Sequence, residues 1–103
     1  MTNITHYNNC IEVNGHAGNQ VICGMVSVIC SGMLHNLIDI YDLDIRYIRG
    51  EGIFTMSFDD IPDDKMEVVN AFISVLKQIA HEQPENVTYR EVNKNYDQAL
   101  MSL

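Results

Sequence analysis

The sequence predicts a small α+β domain whose elements follow the order ββ-α-ββ-α-β, with two helices packed on a mostly antiparallel or mixed sheet. Two observations favour this fold class: two long segments carry apolar residues at helical spacing, and short strand-like runs bounded by turn residues lie before, between and after them. The length of 103 residues fits one domain spanning residues 1–103, and a hydrophobic content of 47% is enough for one core without disulfides.

The chain begins with a predicted β-hairpin. Residues 2–7, TNITHY, and 10–14, CIEVN, have the character of two short strands. Asn8 and Asn9 lie between them, and asparagine tolerates the positive φ angles of a two-residue turn. The two strands are therefore expected to pair with each other.

The next segment, residues 21–41, is predicted to be the first helix. Its apolar side chains recur at helical spacing, at positions 22, 25, 26, 29, 33, 37 and 40. A polar stripe recurs every fourth residue, and it consists of Ser27, Ser31, His35 and Asp39. Because the segment is otherwise apolar, we expect the helix to be largely buried. Gly24 and Gly32 each weaken a helix by about 1 kcal/mol relative to alanine, so we expect them to serve close packing.

A second hairpin is predicted from residues 44–49 and 52–58, DIRYIR and GIFTMSF, around the turn at positions 50–52. An acidic run then follows, with carboxylates at positions 59, 60, 63 and 64 around Pro62. Carboxylates complement the positive end of a helix, and proline is accepted in a first turn. We therefore interpret the acidic run as the start of a helix.

The second helix is predicted over residues 63–81, and Pro84 ends it. Its predicted apolar face consists of Val68, Val69, Phe72, Val75, Leu76, Ile79 and Ala80. Residues 86–92, NVTYREV, are predicted to form a last strand. For residues 93–103 a short helix and a loose end remain open.

Charge and composition exclude several classes of function. The net charge is −8, and the six Lys and Arg residues do not cluster, so direct binding of nucleic acid is not expected. The chain shows no secretion signal, and its apolar stretches are interrupted before the ~18 residues that a membrane span needs, so no membrane contact is expected. Three cysteines without paired spacing indicate free thiols and a cytoplasmic location.

The stretch NGHAGNQVIC is the strongest candidate for chemistry. Cys23 falls at the start of the first predicted helix, where unpaired N–H groups and the helix dipole stabilise a thiolate. Six residues separate His16 from Cys23. Gly15 and Gly18 flank the histidine, so the backbone can bend sharply there and bring the imidazole to the thiol. The alternative, a simple turn before a core helix, remains open.

Other chemistries have less support. His35 lies about 18 Å further along the same helix, and His6 and His81 have no evident relation to Cys23. Cys10 and Cys30 are interpreted as small core residues. The sequence has no Cys-x-x-Cys, phosphate-loop or Gly-x-Ser-x-Gly pattern, and a metal at His16 and Cys23 would lack two further ligands, so neither a metal nor another cofactor is expected.

The stretch GHAGNQVICGMVSVIC resembles the signature of the Prp family, the bacterial ribosomal-processing cysteine proteases. That signature is Gly-His-Ala, a variable loop, an apolar pair, Cys, two small residues, an apolar residue and Ser. Here the matching residues are Gly15-His16-Ala17, Val21-Ile22-Cys23, Gly24-Met25, Val26 and Ser27. The later stretch VVNAFISVLKQIAHEQPENVTY is similar to the second helix and final strand of the family.

The resemblance implies an activity, a site and a partner. Family members remove a short N-terminal extension from a large-subunit ribosomal protein, and they are homodimers. The resemblance makes Cys23 the nucleophile and His16 its base, and Ser27 matches a serine that lines the family's site. Backbone N–H groups of Cys23 or Gly24 are candidates for holding the oxyanion. Gly15 and Gln20 complete the candidate substrate-binding and oxyanion residues, and Gln20 or Asn19 is expected to orient His16.

Two departures from the family pattern leave alternatives open. The loop between His16 and Cys23 lacks an extra glycine-rich segment, and Gln20 stands where the family commonly has Asp. The chain could therefore be a divergent or phage-borne member with another substrate, or a non-catalytic, dimeric peptide-binding homologue. A thiol redox sensor is a weaker rival, because Cys30 lies about 10 Å along the helix from Cys23, too far for a disulfide without unwinding.

Overall fold

The N-terminal segment forms the predicted hairpin in the computed structural model, which describes residues 1–96. β1 (Thr2–His6) pairs antiparallel with β2 (Cys10–Gly15). The Tyr7 N–H donates to the Cys10 carbonyl oxygen across 2.9 Å and closes the connection between the strands.

The prediction that Asn8 and Asn9 use positive φ angles in the turn is wrong. Within residues 1–96, Asp42 is the only non-glycine residue with a positive φ, so Asn8 and Asn9 do not use that conformation. The Asn9 side chain is buried and accepts a hydrogen bond from the Tyr96 N–H across 2.7 Å. Asn9 therefore ties the turn to the segment that follows the last strand.

The other strands extend this hairpin into one sheet. β3 (Tyr47–Gly50) and β4 (Ile53–Ser57) form the second predicted hairpin, and β5 (Val87–Glu91) is the last strand. The strand order is β3-β4-β2-β1-β5, with β5 parallel to β1 and the other neighbours antiparallel. The prediction of a mixed sheet and of the element order is confirmed.

The first helix differs from the prediction at its C-terminal end. α1 covers Gln20–Leu34, and the chain then continues as a π-helix over His35–Ile40. The Tyr41 N–H donates to the Asn36 carbonyl oxygen, five residues earlier, which is the π pattern.

The expectation that this helix is largely buried is wrong. One face packs in the core, and its buried residues in α1 are Ile22, Val26, Cys30, Met33 and Leu34. The opposite face is exposed, with Val21 70% and Val28 71% accessible. Contrary to the expectation that no apolar stretch is long enough, the helical segment Gln20–Ile40 has a mean hydropathy of 1.9 and could by length and composition alone cross a membrane. Its inner face, however, belongs to the core.

The two glycines of α1 have different roles. A Cβ on Gly32 would lie 3.2 Å from the Phe72 ring on the second helix, so Gly32 permits close packing as predicted. A Cβ on Gly24 would meet nothing within 4 Å, so the packing reason predicted for Gly24 is wrong.

The acidic run only partly behaves as a helix start. A 3₁₀ turn, Asp63–Lys65, precedes α2 (Met66–Glu82), and neither helical segment has a side-chain cap hydrogen bond at its start. Asp59 and Asp60 instead pair with Arg46, at 3.1 and 3.0 Å. The first two carboxylates therefore hold the segment before β3 rather than a helix end.

The buried residues of α2 are Val69, Ile73, Leu76 and Ile79, which pack in the core with the sheet. Val75, predicted on this face, is 46% exposed, and Ile73 takes part in the core instead. Residues 93–96 form neither helix nor strand, and the rest of the predicted tail, 97–103, lies outside the described residues.

Candidate active site

The loop between β2 and α1 turns back on itself because two glycines adopt left-handed conformations. Gly15, the last residue of β2, has φ +93, and Gly18 has φ +77. Residues with side chains rarely take these angles. His16 and Ala17 lie between the two reversals, so the loop returns toward the start of the helix, as the glycines predicted.

Asn19 starts the helix rather than serving His16 as first guessed. Its Oδ1 accepts hydrogen bonds from the N–H groups of Val21, at 2.9 Å, and Ile22, at 3.2 Å. This is N-capping, which satisfies backbone donors that have no partner within the helix. Cys23 consequently lies in the first turn of α1, where it was expected.

The Ala17 N–H donates a hydrogen bond to Cys23 Sγ across 3.2 Å. Ala17 is itself held from behind, because Asn86 Nδ2 donates to its carbonyl oxygen across 2.8 Å. Asn86 lies immediately before β5, and its own carbonyl oxygen accepts from the Thr2 N–H at 2.9 Å. The Ala17 peptide that faces the sulfur is thus anchored, through Asn86, to the N-terminal ends of β5 and β1.

The His16 imidazole is exposed and packs against the turn between β3 and β4. A Cβ on Gly52 would lie 2.9 Å from His16 Nε2, and the Gly15 N–H donates to the Gly52 carbonyl oxygen across 2.8 Å. Among the hydrogen bonds of residues 1–96, none joins the imidazole to Cys23 Sγ. Both side chains nevertheless line one cleft, and the predicted contact between them, direct or through one water molecule, stays a prediction.

This cleft has a volume of about 260 Å³ and lies between α1 and the sheet. One face of the helix contributes Cys23, Val26, Ser27 and Cys30. The opposite wall comes from β2 and from residues 49–54 of the second hairpin. An elongated ligand could therefore contact the thiol, the imidazole and the hairpin together.

The structure separates the four secondary candidates into two pairs. Gly15 and Ser27 line the cleft, whereas Gln20 and Gly24 are exposed and do not. The Cys23 N–H donates to the Asn19 carbonyl oxygen across 2.9 Å, so it is already occupied within the helix. The Gly24 N–H has the same regular position inside α1. The expected oxyanion donors at the helix start are thus engaged in helical hydrogen bonds.

The other two thiols have a different environment from Cys23. Burial raises the pKa of Cys10 to about 12 and that of Cys30 to about 12, and the positive charge of nearby Arg49 opposes the rise at Cys30. Cys10 and Cys30 are buried, whereas Cys23 is partly exposed to the cleft. The interpretation of Cys10 and Cys30 as core residues is confirmed.

Three residues of the site escaped the sequence analysis. Asn86 supports Ala17, Gly52 contacts His16, and Arg49 lines the cleft with its guanidinium bonded to Ser31 Oγ. Each acts across a contact between segments distant in sequence. The only available signal was the Gly-Glu-Gly turn, which predicted the hairpin but not its position beside His16.

Metal binding finds no support in the part of the chain that the structure describes. Residues 1–96 contain no group of three His, Cys, Asp or Glu side chains arranged to hold a metal ion.

Comparison with known proteins gives structural neighbours only. No protein-family model and no curated protein matches the chain. The ribosomal processing protease Prp from Staphylococcus aureus, with a covalently linked product peptide, superposes with a TM-score of 0.73, at 19% identity over 88% of this chain and 97% of that one. The same protease with a substrate peptide gives a TM-score of 0.74 at 17% identity, over 88% and 97% of the two chains.

A third neighbour is the protein SMU.848 from Streptococcus mutans, with a TM-score of 0.70 and 19% identity over 90% of this chain and 93% of that one. These similarities extend over almost the whole length of each neighbour. The chain therefore has a Prp-like fold, and the low identities carry the comparison no further than the fold.

Proposed function

We propose that this Prp-like chain is a cysteine endopeptidase in which Cys23 is the nucleophile and His16 the general base. Its proposed substrate is a short N-terminal extension of a large-subunit ribosomal protein, or of a related phage or host protein. The observation that carries the proposal is the hydrogen bond from Ala17 N–H to Cys23 Sγ, in a cleft that His16 also lines. The Staphylococcus aureus neighbours hold a substrate or product peptide, which supports a peptide ligand.

Two features of the structure lie at the sulfur of Cys23, and the thiolate is the attacking form of cysteine. The sulfur accepts the Ala17 N–H and lies in the first turn of α1, near the positive end of the helix dipole. A hydrogen bond to a charged acceptor is stronger than one to a neutral acceptor, so the Ala17 contact stabilises the thiolate more than the thiol.

The proposed reaction is acyl transfer in two steps. His16 takes the proton of the Cys23 thiol. The thiolate then attacks the scissile carbonyl carbon and forms a C–S bond, and the carbonyl π electrons move to oxygen. Collapse of this intermediate breaks the C–N bond, and the protonated His16 gives its proton to the leaving amine. A water molecule, deprotonated by His16, then attacks the thioester and releases the carboxylate product and the thiolate.

The short distance between Ala17 N–H and the sulfur suggests a second use for this donor. When the C–S bond forms, negative charge leaves the sulfur and develops on the carbonyl oxygen bonded to the attacked carbon. The Ala17 N–H lies 3.2 Å from the sulfur, so it is the proposed donor to the oxyanion, which forms at the carbon bonded to that sulfur. One such donor contributes about 3 kcal/mol to transition-state stabilisation.

Homodimer formation is part of the proposal. The outer face of α1 carries Val21, Met25 and Val28 at the spacing of one helix stripe, and all three are exposed. A single exposed apolar side chain is ordinary on a protein surface, but a contiguous stripe is typical of an interaction site. A second copy of the chain is the proposed occupant, and free thiols agree with a proposed cytoplasmic location.

A non-catalytic peptide-binding homologue is the second candidate, because the imidazole makes no hydrogen bond to Cys23 Sγ within the described residues. In such a protein the cleft would retain its peptide without turnover. Catalytic contacts often form only when substrate is bound, so the separation does not by itself favour this candidate over the enzyme.

Mass spectrometry separates the two candidates. The protein is incubated with the extended ribosomal protein and with candidate phage capsid proteins, and product masses are read over time. The peptidase proposal requires a single new cleavage that Cys23→Ser and His16→Ala abolish. Lys77→Ala, an exposed change on α2, is the matched control. Peptide binding by the parent without any cleavage would leave the binding homologue as the function.

A further inference from the structure

The cleft of this acidic protein contains one strong cation. Among the cleft-lining residues described, Arg49 is the single Lys or Arg, whereas the chain as a whole carries a net charge of −8. Three of the six basic residues form ion pairs with carboxylates, and they are Arg46, Lys65 and Lys77. Within residues 1–96 Arg49 has no such carboxylate partner, so its charge is available to a ligand.

The guanidinium of Arg49 is hydrogen-bonded to the opposite wall of the cleft. Arg49 lies on the edge strand β3, and its Nη2 donates to Ser31 Oγ on α1. This bond uses one of the five N–H donors of the side chain, and the others can still receive a carboxylate in the two-pronged geometry that arginine favours. A guanidinium already held in place loses less conformational entropy when it binds a ligand.

The distance from the thiol sets the position of such a ligand group. Ser31 is eight residues after Cys23 on α1, or about 12 Å along the helix axis. An extended peptide advances about 3.3 Å per residue. A peptide whose scissile carbonyl lies at Cys23 and which runs along α1 therefore brings a side chain about three or four residues away to Arg49.

We propose that Arg49 is a specificity residue that binds a side-chain carboxylate of the peptide, about three or four residues from the scissile bond. This inference rests on the peptide-cleaving function proposed above and names a chemical feature of its substrate. Glu51, at the hairpin turn, also lines the cleft and opposes an acidic ligand. The positive charge of Arg49 thus offsets the negative charge of the protein within the cleft, so that an acidic peptide can bind there.

The test uses N-acetylated, C-amidated peptides that span the ribosomal extension and its cleavage site. Each peptide carries Glu, Gln or Lys at one position, and successive positions are scanned. The parent is expected to cleave the Glu peptide about tenfold faster than the Gln peptide at one position only, because a hydrogen-bonded charge pair contributes on that order. Arg49→Gln should remove this preference, and Arg49→Glu should convert it into a preference for Lys.

The controls isolate the contribution of Arg49. Arg90→Gln removes an exposed arginine of β5 outside the cleft and should leave the preference unchanged. Arg49→Lys keeps the charge and should retain part of the preference, whereas Glu51→Gln should strengthen it. Unfolding curves of each variant separate a loss of folding from a loss of specificity.

A second readout distinguishes failure of this proposal from failure of the enzymatic one. Fluorescence anisotropy of the same peptides on Cys23→Ser measures binding without turnover. Selective binding of the Glu peptide that disappears with Cys23→Ser/Arg49→Gln supports the role of Arg49 even where no peptide is cleaved. The proposed role of Arg49 is overturned if Glu and Gln peptides are cleaved or bound equally at every position, or if a Glu preference survives Arg49→Gln. The absence of any peptide binding overturns it as well.

Discussion

The Ala17 N–H donates to Cys23 Sγ across 3.2 Å, and this contact joins the loop after β2 to the first turn of α1. His16 precedes Ala17 directly in the chain, so the placement of the imidazole and the support of the sulfur depend on the same loop. The shortness of this loop relative to the Prp pattern therefore does not leave the sulfur without a donor.

The first prediction concerns thiol reactivity. Near neutral pH, iodoacetamide should modify Cys23 at least about tenfold faster than Cys10 or Cys30, because only the thiolate reacts and burial raises the pKa of the other two thiols to about 12. Peptide mapping over time gives the three rates. His16→Ala should slow the reaction of Cys23, and rates that are equal for all three thiols would contradict the catalytic assignment.

The second prediction concerns the support of Ala17. Asn86→Ala removes the hydrogen bond to the Ala17 carbonyl oxygen and should lower the free energy of unfolding by about 1 kcal/mol while also slowing the alkylation of Cys23. Asn3→Ala is the matched control, since Asn3 Oδ1 accepts a bond of similar length from Thr88 on the same strand pair. An equal effect of both variants on Cys23 reactivity would show that Asn86 has no special role.

The third prediction concerns Gly52, against which the His16 imidazole packs. In Gly52→Ala the new methyl group would lie 2.9 Å from His16 Nε2, so the imidazole must move and cleavage should fall more through kcat than through KM. Gly18→Ala is the control, because Gly18 also has a positive φ but a Cβ there meets nothing within 4 Å. Loss of activity equal in both variants would indicate backbone strain rather than displacement of the ring.

The fourth prediction is the alkaline limit of stability. The pKa of Cys10 and of Cys30 is about 12 in the folded protein, against an ordinary value of 9.0, so the unfolded chain releases these protons first as the pH rises. The contribution to stability is complete below about pH 9 and is lost between pH 9 and 12, at about 1.4 kcal/mol per pH unit for each thiol. Urea unfolding at a series of pH values measures this slope.

The control for the alkaline slope is Cys10→Ala/Cys30→Ala, which removes both buried thiols and leaves the tyrosines. Tyr89 and Tyr96 also have raised pKa values. Burial and a hydrogen bond to Glu91 favour the neutral phenol of Tyr89, a hydrogen bond to Glu12 and burial favour that of Tyr96, and both tyrosines are present in both proteins. The parent should therefore lose stability more steeply than the double variant above pH 9. Identical slopes would mean that the thiols are not the cause.

The fifth prediction tests the proposed dimer. Val28 is 71% exposed on the outer face of α1, so Val28→Asp should not disturb the core but should convert a dimer into a monomer. Val75→Asp, a change at an exposed apolar residue of α2, is the control and should leave the assembly intact. Light scattering over micromolar concentrations gives the masses, and a monomeric parent would refute the dimer.

Periodicity and turn residues predicted both α-helices and all five strands of residues 1–96, but not the π-helix His35–Ile40 that continues the first helix. The predictions failed where an apolar helix face of the same spacing can be either buried in the core or exposed to solvent. Val75 has the helical spacing of a core residue but faces outward, and the apolar α1 exposes Val21 and Val28 because only one of its faces meets the core. Spacing specifies which residues share a face, but not whether another element covers that face.

The same distinction applies to the candidate site. That His16 and Cys23 share one cleft was accessible from the sequence, because two glycines within one short loop allow the chain to return to the helix start that follows directly. The supports of that pair were not: Asn86 meets Ala17, Gly52 meets His16, and Arg49 meets Ser31 only because the strand order β3-β4-β2-β1-β5 brings distant segments together. Strand order follows from the packing of the whole chain, which no local pattern encodes, so the tertiary structure alone decided how the thiol is supported and what surrounds it.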